Sequence, residues 1–484
     1  MKNFFKILVL CIVFVFVFAA CGRYSDLLNN MTTVNDEVPT EKPTDEPVDG
    51  EDNTTEEPTS EIEESTTEEA TTEEVTTESN VIEGLEVSSS DMHKNMLNVF
   101  SGDTVYYESV MFIDYGETKA LLFPIDEIIC VERYDGRKTY TEGVDYTIVD
   151  GMLHIPETST INLITSEGYY DYRGPNGQMI FENYQGMAVP VYWGEGSVMT
   201  QWQIRVTYKH STTWGGFSQE TYAKKFEGLI NKLMAGEDVT FIFYGDSITC
   251  GANSSWYVGL PTADWNNPKK AFYQWSYSML FTQALADMFG YTIHFVDASD
   301  LHNLIKAPPA DYEGGTNGTI TYINTSVGGW TSKNGVDNFN EHIKPFIEQY
   351  GCDLLGVAFG MNDATVNPAT TAANVQAIYD KAMALDSDFY GLVISTMVPN
   401  NISTNGWYGN QDKQEAKLEE VVSYLNANGV GAGLVRMTSV SLSMLDVIDF
   451  RDYTGNNINH PNDFMGRIYA QTCLQAFIGY ENIK

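Results

Sequence analysis

The chain of 484 residues has little of what metal-binding, disulfide-rich or nucleic-acid-binding proteins need. It has six cysteines with no C-x-x-C pair, and its seven histidines are scattered with no H-E-x-x-H motif. This spacing carries no zinc-site signature, so we expect neither a metal nor another cofactor. Lys and Arg number only 27 against 66 Asp and Glu, which leaves a net charge of −39. Because binding phosphates requires basic side chains, nucleic acid is excluded as a favourable partner.

Long apolar runs are also missing. The run at the start, Ile7–Phe18, has about a dozen residues, fewer than the ~20 that a helix needs to span a bilayer. Two lysines precede it, and it ends in Phe18-Ala19-Ala20-Cys21-Gly22. This ending resembles a bacterial lipoprotein cleavage site, so residues 1–21 are expected to form a lipoprotein signal peptide in which Cys21 is the lipidated residue. An ordinary secretory signal or an uncleaved anchor is the alternative.

Residues 22–84 are poor in apolar side chains, and from about 30 to 80 they are almost wholly Thr, Glu, Asp, Pro, Ser, Val and Asn. Such a segment cannot bury enough surface to fold, and its like charges extend it. We expect a disordered acidic linker that holds the folded part away from a membrane to which Cys21 anchors the chain. The predicted location is therefore extracytoplasmic, on a bacterial cell surface.

Residues 85–215 are expected to form a β-sandwich or jelly-roll domain. Short apolar runs, such as Val110–Ile113, Ala120–Pro124 and Ile128–Arg133, alternate with turn signals such as Asp135-Gly136 and Asp150-Gly151. Strands that recur about every 8–12 residues between turns are typical of all-β domains.

Residues 216–484 change to alternating strands and helices. The expected strands are fully apolar, as in Val239–Tyr244 and Leu354–Phe359, and the helices between them are amphipathic, as in Gln411–Asn426. Apolar strands between amphipathic helices indicate a parallel sheet covered on both faces. The predicted fold class is α/β, a three-layer α/β/α domain that follows a β domain.

Polar residues follow several of the predicted strands. Gly245-Asp246-Ser247 follows the first, Gly328-Gly329 the third and Gly360-Met361-Asn362 the fourth, and His460 precedes the last helix. A helix cap, a turn or a surface loop would account for each alone. Together they place a hydroxyl, an imidazole and several hydrogen-bond donors at one edge of the sheet, where ligands bind in such folds. These are the groups that nucleophilic acyl transfer needs.

These four blocks resemble those of the SGNH hydrolases, also called GDSL-type esterases, over about residues 238–484. The resemblance implies a flavodoxin-like three-layer fold with Ser247 as nucleophile and His460 as base. It implies an oxyanion site made of the Ser247 amide, the Gly329 amide and the Asn362 side chain. The G-x-S-x-G segment of the α/β-hydrolases is absent from the sequence, which disfavours that fold.

One position departs from the family pattern. The family has Asp three residues before its histidine, whereas this chain has Asn457. The carbonyl oxygen of Asn457 could orient the His460 ring without supplying charge. A backbone carbonyl, or a carboxylate such as Asp449, Asp452 or Asp463, could serve instead. A Ser–His dyad or an Asn-assisted triad is therefore expected, with an acid from outside the motif as the alternative.

The resemblance implies a serine esterase that removes O-acetyl or other short acyl groups, with an acetylated polysaccharide or oligosaccharide as the expected substrate. Trp330 follows the oxyanion glycine, and Trp407 and Tyr408 lie in a loop on the same face, so that their rings could stack on a sugar; loop packing would explain them equally well. Two other functions stay open. One is a carbohydrate-binding surface protein with a vestigial esterase fold, and the other is a lipase or lysophospholipase-like enzyme.

Overall fold

A computed structural model describes residues 80–170, 178–184, 187–255, 274–301, 308, 310–386, 388–401 and 408–484. The expected signal peptide, Cys21 and the linker up to residue 79 lie outside the described residues. The chain from Thr76 to Lys484 forms one compact unit. Within its described part, every helix is too short or too polar to cross a bilayer.

Antiparallel strands dominate the first part of this unit. They are β1 (Thr104–Val110), β2 (Thr118–Lys119), β3 (Glu127–Arg133), β4 (Thr147–Val149), β5 (Met152–His154), β6 (Gln178–Tyr184), β7 (Met187–Trp193) and β8 (Ile204–Lys209). They form a β1-β8-β3 sheet, a β2-β5-β4 sheet and a β6-β7 hairpin. The turn signals lie where expected, since Gly136, Gly143 and Gly151 all have positive φ angles that favour glycine. Neither Val110–Ile113 nor Ala120–Pro124 forms a strand of its own. The first run begins at the last residue of β1, and the second follows β2.

The second part contains one seven-stranded sheet. Its strands are β9 (Val239–Gly245), β10 (Thr292–Phe295), β11 (Tyr312–Glu313), β12 (Thr319–Asn324), β13 (Leu354–Ala358), β14 (Tyr390–Ile394) and β15 (Ala432–Val435). Their spatial order is β11-β10-β12-β9-β13-β14-β15. All neighbours pair in parallel except β10 and β11. In β12-β9-β13-β14-β15 the order is the flavodoxin-like one, with the topological switch point at β9.

Helices cover both faces of this sheet. The described α-helices are Ser166–Tyr170, Glu227–Ala235, Ser247–Cys250, Tyr277–Phe289, Ser332–Asp337, Phe339–His342, Lys344–Tyr350, Pro368–Met383, Gln411–Ala427, Met437–Leu445, Phe450–Tyr453 and Asp463–Phe477. Successive residues of β9 point to opposite faces, as the pleat of a strand requires. Phe241 and Phe243 join one apolar core, whereas Ile242 and Tyr244 join the other. The α/β/α fold class predicted from the sequence is thereby confirmed, with antiparallel sheets preceding it.

The two parts share packing across the boundary expected at residues 215 and 216. One apolar cluster contains Val110 and Val206 from the antiparallel strands together with Met465 and Ile468 from the last helix. Lys119 of β2 is buried and contacts the carboxylate of Asp452 at 2.8 Å. The boundary itself stays a prediction, but the interface is apolar and ion-paired.

Several element ends differ from the sequence prediction. The amphipathic pattern of Asn338–Tyr350 predicts one helix. In the structure this stretch is divided at Ile343, and a separate helix, Ser332–Asp337, precedes it. The edge strand β15 and the helix Met437–Leu445 were not predicted, because their apolar residues form short runs with no clear periodicity.

Candidate active site

Three neighbouring strands of the parallel sheet end at the candidate site. Ser247 follows β9, Gly329 follows β12 and Asn362 follows β13. β9 lies between the other two, so the three residues come together at the carboxyl edge where the strand order reverses. This is the place at which ligands bind in open parallel sheets. The fold therefore brings these sequence-predicted residues to one edge.

The turn after β9 requires small and polar residues. A Cβ atom on Gly245 would lie 2.5 Å from the carbonyl oxygen of Ala358 and 2.4 Å from Oγ1 of Thr249, so only glycine fits there. Asp246 caps the following helix by accepting a hydrogen bond from the Ile248 N–H at 3.0 Å. Burial raises the pKa of Asp246 to about 7. These contacts fix Ser247 as the first residue of the helix.

His460 lies beside the predicted nucleophile. Its Nε2 is 2.8 Å from Oγ of Ser247, within hydrogen-bond distance. Ser247 is 6% exposed and His460 is 9% exposed. In this geometry the imidazole can take the hydroxyl proton when the serine attacks.

The other ring nitrogen has two partners that the sequence analysis missed. Nδ1 of His460 lies 2.8 Å from Oδ1 of Asn253 and 3.1 Å from Oε2 of Glu195. Asn253 lies just beyond the helix that Ser247 begins, and Glu195 follows β7. Both residues are absent from the motifs that predicted Ser247 and His460.

The tentative role of Asn457 in orienting His460 is not what the structure shows. The Asn457 side chain is buried and its backbone is left-handed, with φ of 66°. Its Nδ2 donates to the hydroxyl of Tyr169 at 2.8 Å and to the carbonyl of Tyr192 at 2.7 Å. The amide of Asn457 therefore binds the antiparallel region rather than the imidazole.

The three carboxylates considered as substitutes also have other partners. Asp449 and Asp452 both contact Lys119. Asp463 accepts a hydrogen bond from the Ser255 N–H at 2.8 Å. Asp449 and Asp452 therefore pair with the same lysine, and Asp463 binds the segment that follows Ser247.

The predicted oxyanion donors Gly329 and Asn362 follow the two strands that flank β9. Gly329 has a φ of 78°, in the left-handed region that favours glycine. The amides of Gly329 and Ser247 have no hydrogen-bond partner within the part of the chain that the structure describes. Asn362 Nδ2 donates to the carbonyl of Trp330 at 3.0 Å, which fixes the direction of its amide. These are donors of the kind that stabilise a developing oxyanion.

The aromatic residues proposed for sugar stacking differ in their surroundings. The Trp330 ring is partly buried, with its centroid 4.6 Å from that of His342 and 6.2 Å from that of Tyr244. It therefore contributes to packing. Tyr408 is 45% exposed, and Trp407 lies outside the described residues. Tyr408 is two residues before Asn410, which donates to the carbonyl of Ala364 beside the Asn362 turn.

A cavity of about 470 Å³, a volume that includes space open to solvent, lies beside Asn253. Its lining residues come from β1, β8, the turn after β3, the segment after Ser247 and the start of the last helix, and include Tyr107, Tyr134, Arg205, Asn253 and Arg467. Asn253, which lines this cavity, also contacts Nδ1 of His460. Among the described residues, no three His, Cys, Asp or Glu side chains are grouped to hold a metal ion.

Comparison with known proteins identifies residues 241–445 as a match to the family model described as GDSL-like lipase/acylhydrolase. No curated protein matches the chain significantly.

Among solved structures, a two-domain esterase active on acetylated mannans is 17% identical, with a TM-score of 0.36. The match covers 54% of this chain and 54% of that one, so the chain spans about half the length of that esterase. Axe2, an acetylxylan esterase from Geobacillus stearothermophilus, is 14% identical over 51% of this chain and 96% of its own, with a TM-score of 0.32. A protein from Parabacteroides merdae, described as a putative GDSL-like lipase, is 14% identical over 49% of this chain and 95% of its own, also with a TM-score of 0.32.

Proposed function

Residues 241–445 form an SGNH hydrolase domain of the GDSL-like lipase/acylhydrolase family, and on this premise we propose that the protein is a serine esterase for short acyl esters. Enzymes of this family are carboxylic ester hydrolases. The observation that carries the proposal is the 2.8 Å contact between Ser247 Oγ and His460 Nε2. It combines with the neighbouring donors of Gly329 and Asn362 at the same sheet edge.

The proposed reaction has two steps. His460 takes the proton of Ser247, whose oxygen attacks the ester carbonyl, and the alcohol leaves after His460 returns the proton to it. Water then attacks the acyl-enzyme, with His460 again acting as base. The bond between the acyl group and Ser247 breaks, the acid leaves, and His460 returns the proton to the serine oxygen. In both steps the negative oxygen is held by the amides of Ser247 and Gly329 and by Asn362. Removal of one such donor typically lowers the rate by roughly 10²–10³-fold.

The low exposure of Ser247 and His460 supports a small acyl group. Hydrolysis of p-nitrophenyl acetate by the wild-type protein, lost in Ser247→Ala and retained in the exposed control Ser90→Ala, tests the chemistry. A series from acetate to octanoate tests chain length. Preference for long chains would favour the lipase alternative, and an inactive wild-type protein that binds sugars would favour the vestigial esterase.

For the alcohol part of the ester we propose an acetylated polysaccharide or oligosaccharide. The exposed Tyr408 ring, near the Asn362 turn, is the described aromatic residue best suited to stack on a sugar face. Tyr408→Ala should raise KM for the acetylated polymer and leave p-nitrophenyl acetate hydrolysis unchanged. Tyr350→Ala is the matched control, because Tyr350 is similarly exposed but precedes β13, at the opposite edge of the sheet. A panel of acetylated xylan, mannan, pectin and peptidoglycan then identifies the polymer.

We also propose that Cys21 carries a lipid and that the acidic segment after it is a tether on the outer side of a bacterial membrane. The sequence around Cys21 and the composition of residues 22–79 support this proposal. Mass spectrometry of the mature N-terminus should find a diacylglyceryl Cys21, and an unmodified start elsewhere would refute it. Deletion of residues 22–79 should leave the activity on p-nitrophenyl acetate unchanged.

A further inference from the structure

We propose that Glu195, from the antiparallel region, is the carboxylate partner of His460. It replaces the Asp that the family has three residues before its histidine, where this chain has Asn457. This inference rests on the proposed esterase chemistry. Glu195 touches the imidazole and not the substrate, so its role is that of a positioning residue that also stabilises the positive ring. The active site is then completed by two parts of the chain that lie far apart in sequence.

Both carboxylate oxygens of Glu195 are held. Oε2 lies 3.1 Å from Nδ1 of His460, and Oε1 accepts a hydrogen bond from Nδ2 of Asn456 at 3.0 Å. Asn456 is itself fixed, because its Oδ1 accepts from the backbone N–H groups of Ile458, Asn459 and His460. An exposed carboxylate in a chance ion pair would have one such contact and would lose it readily. The second contact gives Glu195 a defined direction.

The backbone around Glu195 is attached to the same segment. The Gly194 N–H donates to the carbonyl of Asn456 at 3.3 Å. The carbonyl of Gly196 accepts from Nδ2 of Asn253 at 3.1 Å. The two glycines therefore hold Glu195 between the loop that carries His460 and the segment that follows Ser247.

Asn253 and Glu195 both contact Nδ1 of His460 but contribute differently to it. Asn253 Nδ2 donates to the carbonyls of Gly196 and Gly455, so its Oδ1 must face the imidazole, where it lies 2.8 Å from Nδ1. The single Nδ1–H is thus shared between an amide oxygen and a carboxylate. The amide fixes the ring orientation and tautomer, and the carboxylate supplies the charge that favours the imidazolium in the transition state.

The ionisation of Glu195 fits this role. Burial alone would raise its pKa, but the hydrogen bond and charge of His460 and the hydrogen bond from Asn456 lower it below the ordinary value. The side chain is 51% exposed, which moderates the effect through solvent screening. The charge of the Asp246 carboxyl group also interacts with His460.

The test compares wild type, Glu195→Gln and the exposed control Glu157→Gln on p-nitrophenyl acetate across pH. Glu195→Gln keeps the shape of the side chain and removes its charge. We expect kcat to fall about 10- to 100-fold with KM little changed, less than the ~10⁴-fold loss at a buried triad carboxylate. The acid limb of the kcat/KM profile should move to lower pH, because the imidazolium loses its partner. Asp246 is present in all three proteins and cannot cause the difference.

A spectroscopic measurement separates this inference from the proposed function. The Nδ1–H proton of His460 should give a downfield NMR signal that moves upfield in Glu195→Gln and stays in Glu157→Gln. An unchanged signal, kcat and pH profile in Glu195→Gln would overturn the assignment while leaving the esterase proposal intact. A wild-type protein without esterase activity whose signal still moved in Glu195→Gln would refute the proposed function and support the pairing.

Discussion

Glu195 Oε2 and His460 Nδ1 lie 3.1 Å apart although 265 positions separate the two residues in the chain. The loop that carries His460 is held on this side by residues of the antiparallel region. Gln203 Nε2 donates to the carbonyl of Thr454 at 2.8 Å, and Lys119 contacts Asp452. The geometry of the general base therefore depends on strands that the hydrolase motifs do not include.

Lys119→Met should destabilise the protein strongly. Lys119 and Asp452 are both almost fully buried and pair at 2.8 Å, so the substitution leaves Asp452 with an uncompensated charge. We expect a loss of about 3–5 kcal/mol in the free energy of unfolding, measured with urea. Lys333→Met, which removes an exposed pair with Asp337, should cost less than about 1 kcal/mol. Equal losses in the two variants would contradict a dominant role for burial.

Asn362→Ala should lower kcat by roughly 10²–10³-fold while KM changes little, because its amide is proposed to bind the oxyanion rather than the ground-state carbonyl. Steady-state kinetics on one acetyl ester measures the effect. Asn428→Ala is the control, since the exposed Asn428 amide donates to the carbonyl of Tyr424 and precedes β15, at the opposite edge of the sheet. A large rise in KM with unchanged kcat would assign Asn362 to substrate binding instead.

Asn457→Asp should destabilise the protein rather than improve catalysis. The motif alone favours retained or higher activity, but in the structure the substitution removes an amide that donates to Tyr169 and Tyr192 and places an oxygen against the Tyr192 carbonyl. We expect a cost of about 1–3 kcal/mol by thermal or urea unfolding. Asn98→Asp is the control, because the Asn98 oxygen accepts from the Phe100 N–H and a carboxylate can do the same. A rise in kcat/KM in Asn457→Asp would show that this side chain reaches His460.

Glu108 should make stability decrease as pH rises from about 4.5 to 8. Burial raises its pKa from 4.5 to about 8, although hydrogen bonds from Tyr208 and the Leu122 N–H oppose the shift. Below pH 4.5 both states hold the proton. Between the two values the unfolded chain releases it while the folded protein retains it, so unfolding becomes easier, and above pH 8 the cost is complete.

Glu108→Gln removes this ionisation. Its amide oxygen can still accept from the Leu122 N–H, and its NH2 group can donate to the oxygen of Tyr208 in place of the bond that Tyr208 donates to Glu108. We expect its stability curve to be flatter over this pH range and to exceed that of wild type at pH 8 by on the order of 3 kcal/mol. Urea unfolding at several pH values measures it. Glu127→Gln, at an exposed position, should leave the wild-type pH dependence of stability unchanged. If the stability of Glu108→Gln differed from that of wild type by the same amount at every pH, ionisation of Glu108 would not be the cause of the pH dependence.

The sequence was sufficient for the parts of the site that local chemistry determines. Gly245, Ser247 and Gly329 have their identities because a strand turns sharply into a loop or helix there, and such turns leave a readable motif. The apolar strands β9 and β13 were predicted for the same reason, since full burial demands unbroken apolar runs.

The partners of His460 could not be read from the sequence in the same way. Glu195 lies in a glycine turn of a region without helical periodicity, and only the packing of that region on the hydrolase sheet brings it to the ring. Asn457 occupies the motif position, but its left-handed backbone directs the side chain to Tyr169 and Tyr192. Alignment by spacing assigns a position to a residue, whereas the φ angle decides where its side chain points.

The hydrogen bonds of Ser109 and Gln203 to the segment around His460 also have a consequence for the folding of the chain. Ser109 donates to the carbonyl of Asp452, and Asn462 donates to both Ser109 and Gln203. A chain emerges from the ribosome N-terminus first. The side chains of Ser109 and Gln203 therefore lack these hydrogen-bond partners until the segment before the final helix has been synthesised. Such distant pairings close slowly. The fold is then completed in the same step that places His460 beside Ser247. A nascent chain that ends before residue 460 carries the nucleophile but no general base to activate it.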